Sequence, residues 1–181
     1  MSILSHVRLM ATYNQWMNRK VYQAAGSLSD EKLAEDRKAF FASILGTLNH
    51  LMIGDIIWLR RFSAHPAQHR TLNRLRDVEL PQSLDEALYT VFSELSAERE
   101  ALDDLIIQWC AELSQDDLQQ TLYFKNMAGQ QFAKPFAHVL LHLFNHQTHH
   151  RGQLTTMLSQ EGLDVGVTDL LALIPDAVET Q

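Results

Sequence analysis

Apolar residues recur at steps of three and four in four long segments of the chain, with polar residues between them. This spacing puts the apolar side chains on one face of an α-helix. The pattern predicts helices from about Ser2 to Ala25, from about Phe41 to Ala64, from about Pro81 to Leu113, and from Pro135 to just before Gly162.

Residues with known effects on helix ends support these bounds. Gly26 and Pro66 follow the first and second segments, where such residues commonly end a helix. Ser83 and Glu86 have capping-box spacing, in which the hydroxyl and the carboxylate each accept from a backbone N–H of the first turn. The third helix is therefore predicted to begin beside them.

Four such helices with short connections predict an all-α fold, an antiparallel four-helix bundle formed as a single domain over 1–181. Two β-prone runs, 121–125 and 130–134, flank a turn that contains Gly129. They predict a small β-hairpin between the third and fourth helices. The apolar tail after Gly162 is expected to fold back over an open end of the bundle.

The charge of the chain indicates which partners it does not bind. The formal net charge is −7 at pH 7, and the pI is near 5.6. Nucleic acid binding needs a basic surface, so nucleic acid is not expected as a partner. The short basic cluster Arg70, Arg74 and Arg76 is interpreted as a solvated loop.

The cysteine count and the N-terminal residues predict a cytoplasmic protein. Cys110 is the one cysteine and lies in an apolar helical stretch, where it is interpreted as a small buried hydrophobe. Arg8, Asn14 and Gln15 interrupt any apolar run of the signal-peptide type. No run approaches the roughly 20 apolar residues of a membrane span, so no membrane association is expected.

Histidines supply the candidate chemistry. Five of the nine fall between His138 and His150. His146 and His150 are an i,i+4 pair, and such a pair on one helix face can hold a divalent ion at about 2.0–2.1 Å per bond. A third ligand from the same straight helix would lie about 11 Å along the axis from the first, so a second helix must provide it. His50, in the second predicted helix, is the best candidate.

The other histidines have less specific surroundings. His6, His65 and His69 are interpreted as surface residues. His142 can share the face of His146, and it is the first candidate for proton transfer. Asp55 and Tyr13 are weaker candidates for that role.

Two glycines of the second helix have a possible steric role. Phe40 precedes His50 by the same interval at which Phe136 precedes His146, which is a weak similarity between the two halves of the chain. When the two halves are aligned at His50 and His146, Gly46 and Gly54 lie opposite histidines of the fourth helix. Glycine inside a helix costs about 0.8–1.0 kcal/mol relative to alanine. We hypothesise that both glycines make room for metal, water and substrate.

Three protein nitrogens leave at least one coordination position open, which is the catalytic rather than the structural pattern. Gln147 stands where a His-Glu-x-x-His motif would place its glutamate, so that general base is missing. Asn49 and Asn145 precede two of the histidines and could orient them, although ordinary helix contacts explain them equally well. Imidazole ligands suit several divalent ions, with zinc or nickel expected first and iron or manganese next.

Three motifs and the C-terminal segment resemble the DinB family, which is grouped with YfiT-like metalloenzymes. The matching residues are Tyr13–Asn18, Leu48–Leu51 through Trp58–Leu59, Asn145–Gln153, and Asp169–Leu170. The resemblance implies a four-helix bundle, often a homodimer, with a divalent metal held by His50, His146 and His150. The damage-inducible name of the family describes regulation of relatives and does not imply DNA binding.

The resemblance also frames two functional hypotheses. Related enzymes use low-molecular-weight thiols such as bacillithiol or mycothiol in transferase or isomerase reactions. The leading hypothesis is a metal-dependent enzyme that activates a thiol or water, for S-transfer to or hydrolysis of a small electrophilic substrate. The alternative is a non-catalytic metal-binding or small-ligand-binding protein of the stress response.

Overall fold

Most of residues 2–176, the part of the chain that our computed structural model describes, are in helices. The α-helices are α1 (Ile3–Ala25), α2 (Asp30–Ala34), α3 (Ile44–Phe62), α4 (Phe92–Glu112), α5 (Gln115–Leu118) and α6 (Phe136–Gln160). Short 3-10 helices span Arg70–Leu75 and Leu170–Leu173. The prediction of a mainly helical chain is confirmed.

The predicted hairpin is also confirmed. Strands β1 (Thr121–Lys125) and β2 (Gln131–Pro135) pair antiparallel, with Thr121 opposite Pro135 and Lys125 opposite Gln131. Gly129 in the connecting turn has a φ of +79°, a left-handed conformation that glycine adopts without steric cost. The hairpin leads directly into α6.

The four long helices pack around a shared apolar core. Helix α1 contacts α4 and α6, and α3 contacts the same two helices. Phe62 of α3 stacks on Trp109 of α4 with ring centroids 5.1 Å apart, and both side chains are fully buried. Cys110 is buried in this core, as its apolar surroundings predicted. The packing fixes the relative positions of α3 and α6, the two helices that carry the histidines.

The third long helix begins about ten residues later than predicted. It starts at Phe92, and the Ser83–Glu86 capping box does not form; the carboxylate of Glu86 accepts from the backbone N–H of Gln82. The side chain of Asn49 explains the difference, because its amide donates to the carbonyl of Tyr89 and accepts from the N–H of the same residue. These two bonds hold the segment before α4 in a non-helical path along α3.

The C-terminal tail folds back along α1, and Leu163 and Val165 pack against the core. Tyr13 donates its hydroxyl to the carbonyl of Thr168 at 2.6 Å, and the ammonium of Lys20 donates to that of Val167 at 2.7 Å. Leu171 remains exposed. Within residues 2–176, none of the helices has the length and hydropathy needed to cross a membrane.

A buried polar network connects all four long helices. Arg99 of α4 donates to Asp55 of α3 at 2.6 Å and pairs with Asp103 at 2.7 Å. Asp103 also accepts from two asparagines of α1, and Arg151 of α6 donates to the side-chain oxygens of both. The members are Asn14, Asn18, Asp55, Arg99, Asp103, Gln147 and Arg151. Every member is at most 2 % exposed. The two arginines and the two aspartates of the network balance one another in charge, as buried charges require.

Candidate metal centre

The rings of His50, His146 and His150 converge between α3 and α6. Nε2 of His50 lies 3.1 Å from Nε2 of His146, and one nitrogen from each of the three rings lies within 4.8 Å of the others. The i,i+4 spacing within α6 and the packing of α6 on α3 together produce this cluster. The structure therefore brings together the three residues that the sequence predicted as metal ligands.

Hydrogen bonds fix the tautomers of two of these rings. Nδ1 of His50 donates to the carbonyl of Leu84 at 2.9 Å, and Nδ1 of His150 donates to the side-chain carbonyl of Gln153 at 2.8 Å. Each bond places the ring proton on Nδ1 and leaves the lone pair on Nε2. Such bonds to the second nitrogen are typical of metal-ligating histidines. The donor set therefore fits a divalent metal ion.

Burial keeps the three imidazoles neutral. It lowers the pKa of His50 and that of His150, although the bonds to Leu84 and Gln153 oppose this shift. For His146, burial and the neighbouring histidines lower the pKa to about 3. Neutral imidazole is the form that binds metals, so all three rings are ready to coordinate at neutral pH.

Two neighbours pack directly on the cluster. The ring of Phe41 stacks on that of His50 at a centroid distance of 3.7 Å and also contacts His150 edge-on. On the other side, a Cβ atom at Gly54 would lie 3.0 Å from Cε1 of His146. The predicted steric role of Gly54 therefore agrees with the packing.

The same prediction is wrong for Gly46. A Cβ at that position would meet the backbone carbonyl of Phe41 at 2.2 Å, so this glycine accommodates the chain that enters α3. The nearest neighbours of that Cβ are atoms of Phe41 and Ser43, and no histidine is among them.

A cavity of about 500 Å³ opens beside the cluster. Trp58 lines it. Tyr13, a weaker candidate for proton transfer, does not line it and is bonded to the C-terminal tail. The lining residues are His50, Gly54, Ile57, Trp58, Arg61, Leu84, Asn126, Met127, Ala128, His142 and His146. The hairpin turn thus supplies one wall, and α3 and α6 supply the others.

The remaining predicted residues divide between the cavity and the rest of the fold. His142 lies on the cavity wall, with its ring centroid 6.0 Å from that of His146. Burial and the charge of Arg61 lower its pKa. Asp55 is paired with Arg99 in the buried network, so the expectation that it could transfer protons at this site is not supported. Asn145 is exposed, and Asn49 holds the segment before α4.

A second cluster, His65, His69 and Asp117, also brings three potential ligand atoms within 4.8 Å. The indole N–H of Trp109 donates to Nδ1 of His69 at 3.1 Å, so Nε2 of His69 carries the proton that faces Asp117 at 3.3 Å. Both ring nitrogens are thus engaged in a hydrogen-bonded chain. His65 and His69 were expected on the surface, but they are 1 % and 7 % exposed because this chain and the ring of Phe136 bury them.

Comparisons with known proteins identify the family of this chain. The model of the DinB family matches residues 2–179. The chain belongs to the DinB family. It is 26 % identical over 162 residues to Protein DinB of Bacillus subtilis (strain 168), and the match covers 87 % of each protein.

A solved structure extends the comparison to the fold. The crystal structure of a DinB-like protein from Bacillus cereus ATCC 10987 matches with a TM-score of 0.53 at 20 % identity. The match covers 84 % of this chain and 90 % of that chain. This likeness shows a shared DinB-like fold.

Sequence reasoning missed several residues around the site of this DinB-family chain. Phe41 was assigned to the start of a helix, but it lies before α3 and covers His50. Leu84 was assigned to the third helix, and its carbonyl instead accepts from His50. Neither role has a local sequence signal, because each depends on a contact between separate segments. Arg61 could have been noticed as a charge one helical turn after Trp58.

Proposed function

We propose that this DinB-family protein binds one divalent metal ion through His50, His146 and His150. The observation that carries the proposal is the convergence of one nitrogen from each of the three rings, with the Nδ1 protons of His50 and His150 directed at carbonyl oxygens. The separation of 3.1 Å between two of these nitrogens is compatible with two bonds of about 2.0–2.1 Å to one ion. Zinc and nickel are the first candidates, followed by iron and manganese.

We further propose that the centre is catalytic. A divalent ion held by three imidazoles supplies Lewis acidity that lowers the pKa of a water or thiol at the remaining coordination position. Trp58 and the hairpin turn would position a small electrophilic substrate for S-transfer or hydrolysis. His142, on the cavity wall and neutral at pH 7, would accept the proton of the nucleophile and return it to the leaving group.

The adjacent cavity supports an enzyme over the non-catalytic alternative. A protein that only binds the ion would suit a closed site with a fourth protein ligand. A stress-response protein that binds a small ligand would also need a cavity, and turnover distinguishes it from an enzyme. Here three histidines face a space large enough for a small molecule. The proposed partner is therefore a small-molecule substrate together with a low-molecular-weight thiol. We also propose that the chain forms an antiparallel four-helix bundle, that it assembles as a homodimer, and that it is located in the cytoplasm.

Elemental analysis of untagged protein, purified without chelating resin, tests the metal centre. We expect about one metal ion per chain in the wild type and much less in His146→Ala. His138→Ala is the matched control, because His138 is exposed on the same helix and should leave the metal content unchanged. A metal-free wild type that takes up no zinc, nickel or manganese would overturn the proposal.

Turnover tests the catalytic part separately. Metal-loaded protein should transfer glutathione or another thiol to at least one member of a panel of small electrophiles, or hydrolyse a member of it. His142→Ala should lower kcat while leaving the metal content at one per chain. Full metal loading without any metal-dependent reaction would favour the non-catalytic binder.

A further inference from the structure

Arg61 is the one residue with a full charge on the wall of the cavity beside the histidines. Among the residues that the structure describes, no aspartate or glutamate lines this cavity. The three imidazoles that contribute to the wall are neutral for the reasons given above. Apart from the metal ion proposed at the histidines, a ligand in the cavity would therefore meet a single positive charge with no compensating carboxylate beside it.

The guanidinium group of Arg61 lies beside two neighbouring aromatic rings. Its central carbon lies 4.6 Å from the ring centroid of Trp58 and 5.0 Å from that of Phe124. The two ring centroids are only 5.3 Å apart, so both rings lie on the same side of the guanidinium and restrict its position. A guanidinium that is held in position binds a carboxylate or phosphate with little loss of side-chain freedom.

The described residues offer no acceptor for the guanidinium of Arg61. Nε of Arg61 is buried and has no hydrogen-bond partner, and within residues 2–176 no carboxylate forms an ion pair with this side chain. Nε of Arg37, Arg99 and Arg151 is also buried without a partner, so this atom alone does not mark a ligand site. What distinguishes Arg61 is its unpaired positive charge on the wall of the cavity, which points to an anionic ligand.

We infer that Arg61 selects substrates or thiols that carry a carboxylate or phosphate group. The inference rests on the proposed function, since the reacting end of the same molecule would lie at the three histidines. Gly54 contacts His146, and Arg61 follows Gly54 by seven residues of α3, which corresponds to about 10 Å along the helix. This backbone separation gives the order of length, about 10 Å, that we choose for the spacer between the anionic group and the reacting sulfur.

Binding of three matched thiols to cobalt-loaded protein tests this inference. The ω-thiols mercaptooctanoate and mercaptooctanol differ in the anionic group, and mercaptopropionate has the same carboxylate on a chain too short to span the cavity. The thiolate-to-cobalt absorption band reports the thiol at the metal, and calorimetry reports affinity. We expect mercaptooctanoate to bind roughly 10- to 100-fold more tightly than the other two, as for a hydrogen bond between charged groups.

Arg61→Gln should abolish the preference for mercaptooctanoate over mercaptooctanol. Arg60→Gln removes the adjacent positive charge, which does not line the cavity, and should leave the preference intact. Circular dichroism and the melting temperature confirm that both variants fold. Equal affinity of the wild type for the acid and the alcohol would overturn the inference. The inference would also be overturned if Arg61→Gln kept the preference for mercaptooctanoate, or if Arg60→Gln lost this preference to the same extent as Arg61→Gln.

The absorption band separates this inference from the proposed function. A band with both long thiols but no preference for the acid leaves thiol activation standing and rejects the role of Arg61. If neither thiol produces the band, thiol activation fails. A calorimetric preference for mercaptooctanoate that depends on Arg61 would then still establish the anion site.

Discussion

Gly54 of α3 and the ring of His146 of α6 are in direct contact across the two helices: a Cβ atom at position 54 would lie 3.0 Å from Cε1 of the imidazole and 3.5 Å from Nδ1. The ring therefore occupies the space that any other residue at position 54 would fill. The absence of a side chain on α3 thus determines where a histidine of α6 can lie.

Replacement of this glycine should remove the metal while preserving the fold. In Gly54→Leu the added side chain would displace the ring of His146, and we expect metal content to fall at least tenfold. The fold should persist, because replacing a glycine inside a helix improves the helix propensity by up to about 0.8–1.0 kcal/mol. Gly152→Leu is the matched control, since a Cβ there meets nothing within 4 Å. Metal loading in Gly54→Leu equal to that of the wild type would refute the steric role.

Gln153 should control the affinity of the site without being a ligand. Its side-chain carbonyl accepts from Nδ1 of His150 at 2.8 Å and so orients that ring. Loss of such a partner typically weakens metal binding by about 10- to 100-fold. We expect Gln153→Ala to show this loss in a competition titration with a zinc indicator, whereas Gln160→Ala, at the exposed end of α6, should not. Equal affinities would show that the bond does not orient the ligand.

The metal-free protein should lose stability on acidification. The pKa of His146 is lowered from 6.5 to about 3, so below about pH 6.5 the unfolded chain binds a proton that the folded protein excludes. The free energy of unfolding should fall as the pH decreases from about 6.5 towards 3. Urea titrations across this range measure the slope, which His146→Asn should reduce. An unchanged slope in the variant would contradict the assignment.

The buried network should be essential for stability rather than for metal binding. Arg99→Met leaves Asp55 and Asp103 buried without their cation, which typically costs about 3–5 kcal/mol. Arg19→Met is the control, because the pair of Arg19 with Glu100 is exposed and 4.0 Å long, and such pairs contribute at most about 1 kcal/mol. Denaturant titrations should separate the two variants clearly. Similar midpoints would show that the network contributes little.

Much of the secondary structure and the candidate site could be predicted from the sequence. The apolar periodicity located α1, α3 and α6, and the turn at Gly129 located the hairpin. His146 and His150 were identified by an i,i+4 spacing, and His50 by its resemblance to the same pattern on another helix. Each of these signals is local, because helix periodicity and turn chemistry act within a few residues.

Other features depend on contacts between segments that are distant in the sequence. The Ser83–Glu86 pattern predicted a helix start, but the side chain of Asn49 holds the backbone of Tyr89 and keeps that segment in a non-helical path. His69 was assigned to the surface because nothing nearby in sequence indicates that Trp109 and Asp117 surround it.

The amino-acid sequence alone determined the long helices, the hairpin and the identity of the three converging histidines. The tertiary structure decided which carbonyls orient His50 and His150, which glycine contacts His146, and that Arg61 faces the same cavity. The reason is physical: a helix fixes the spacing of its own side chains, whereas the partners of each face are set by the packing of whole helices. The buried polar network and the cavity exist only once that packing has formed.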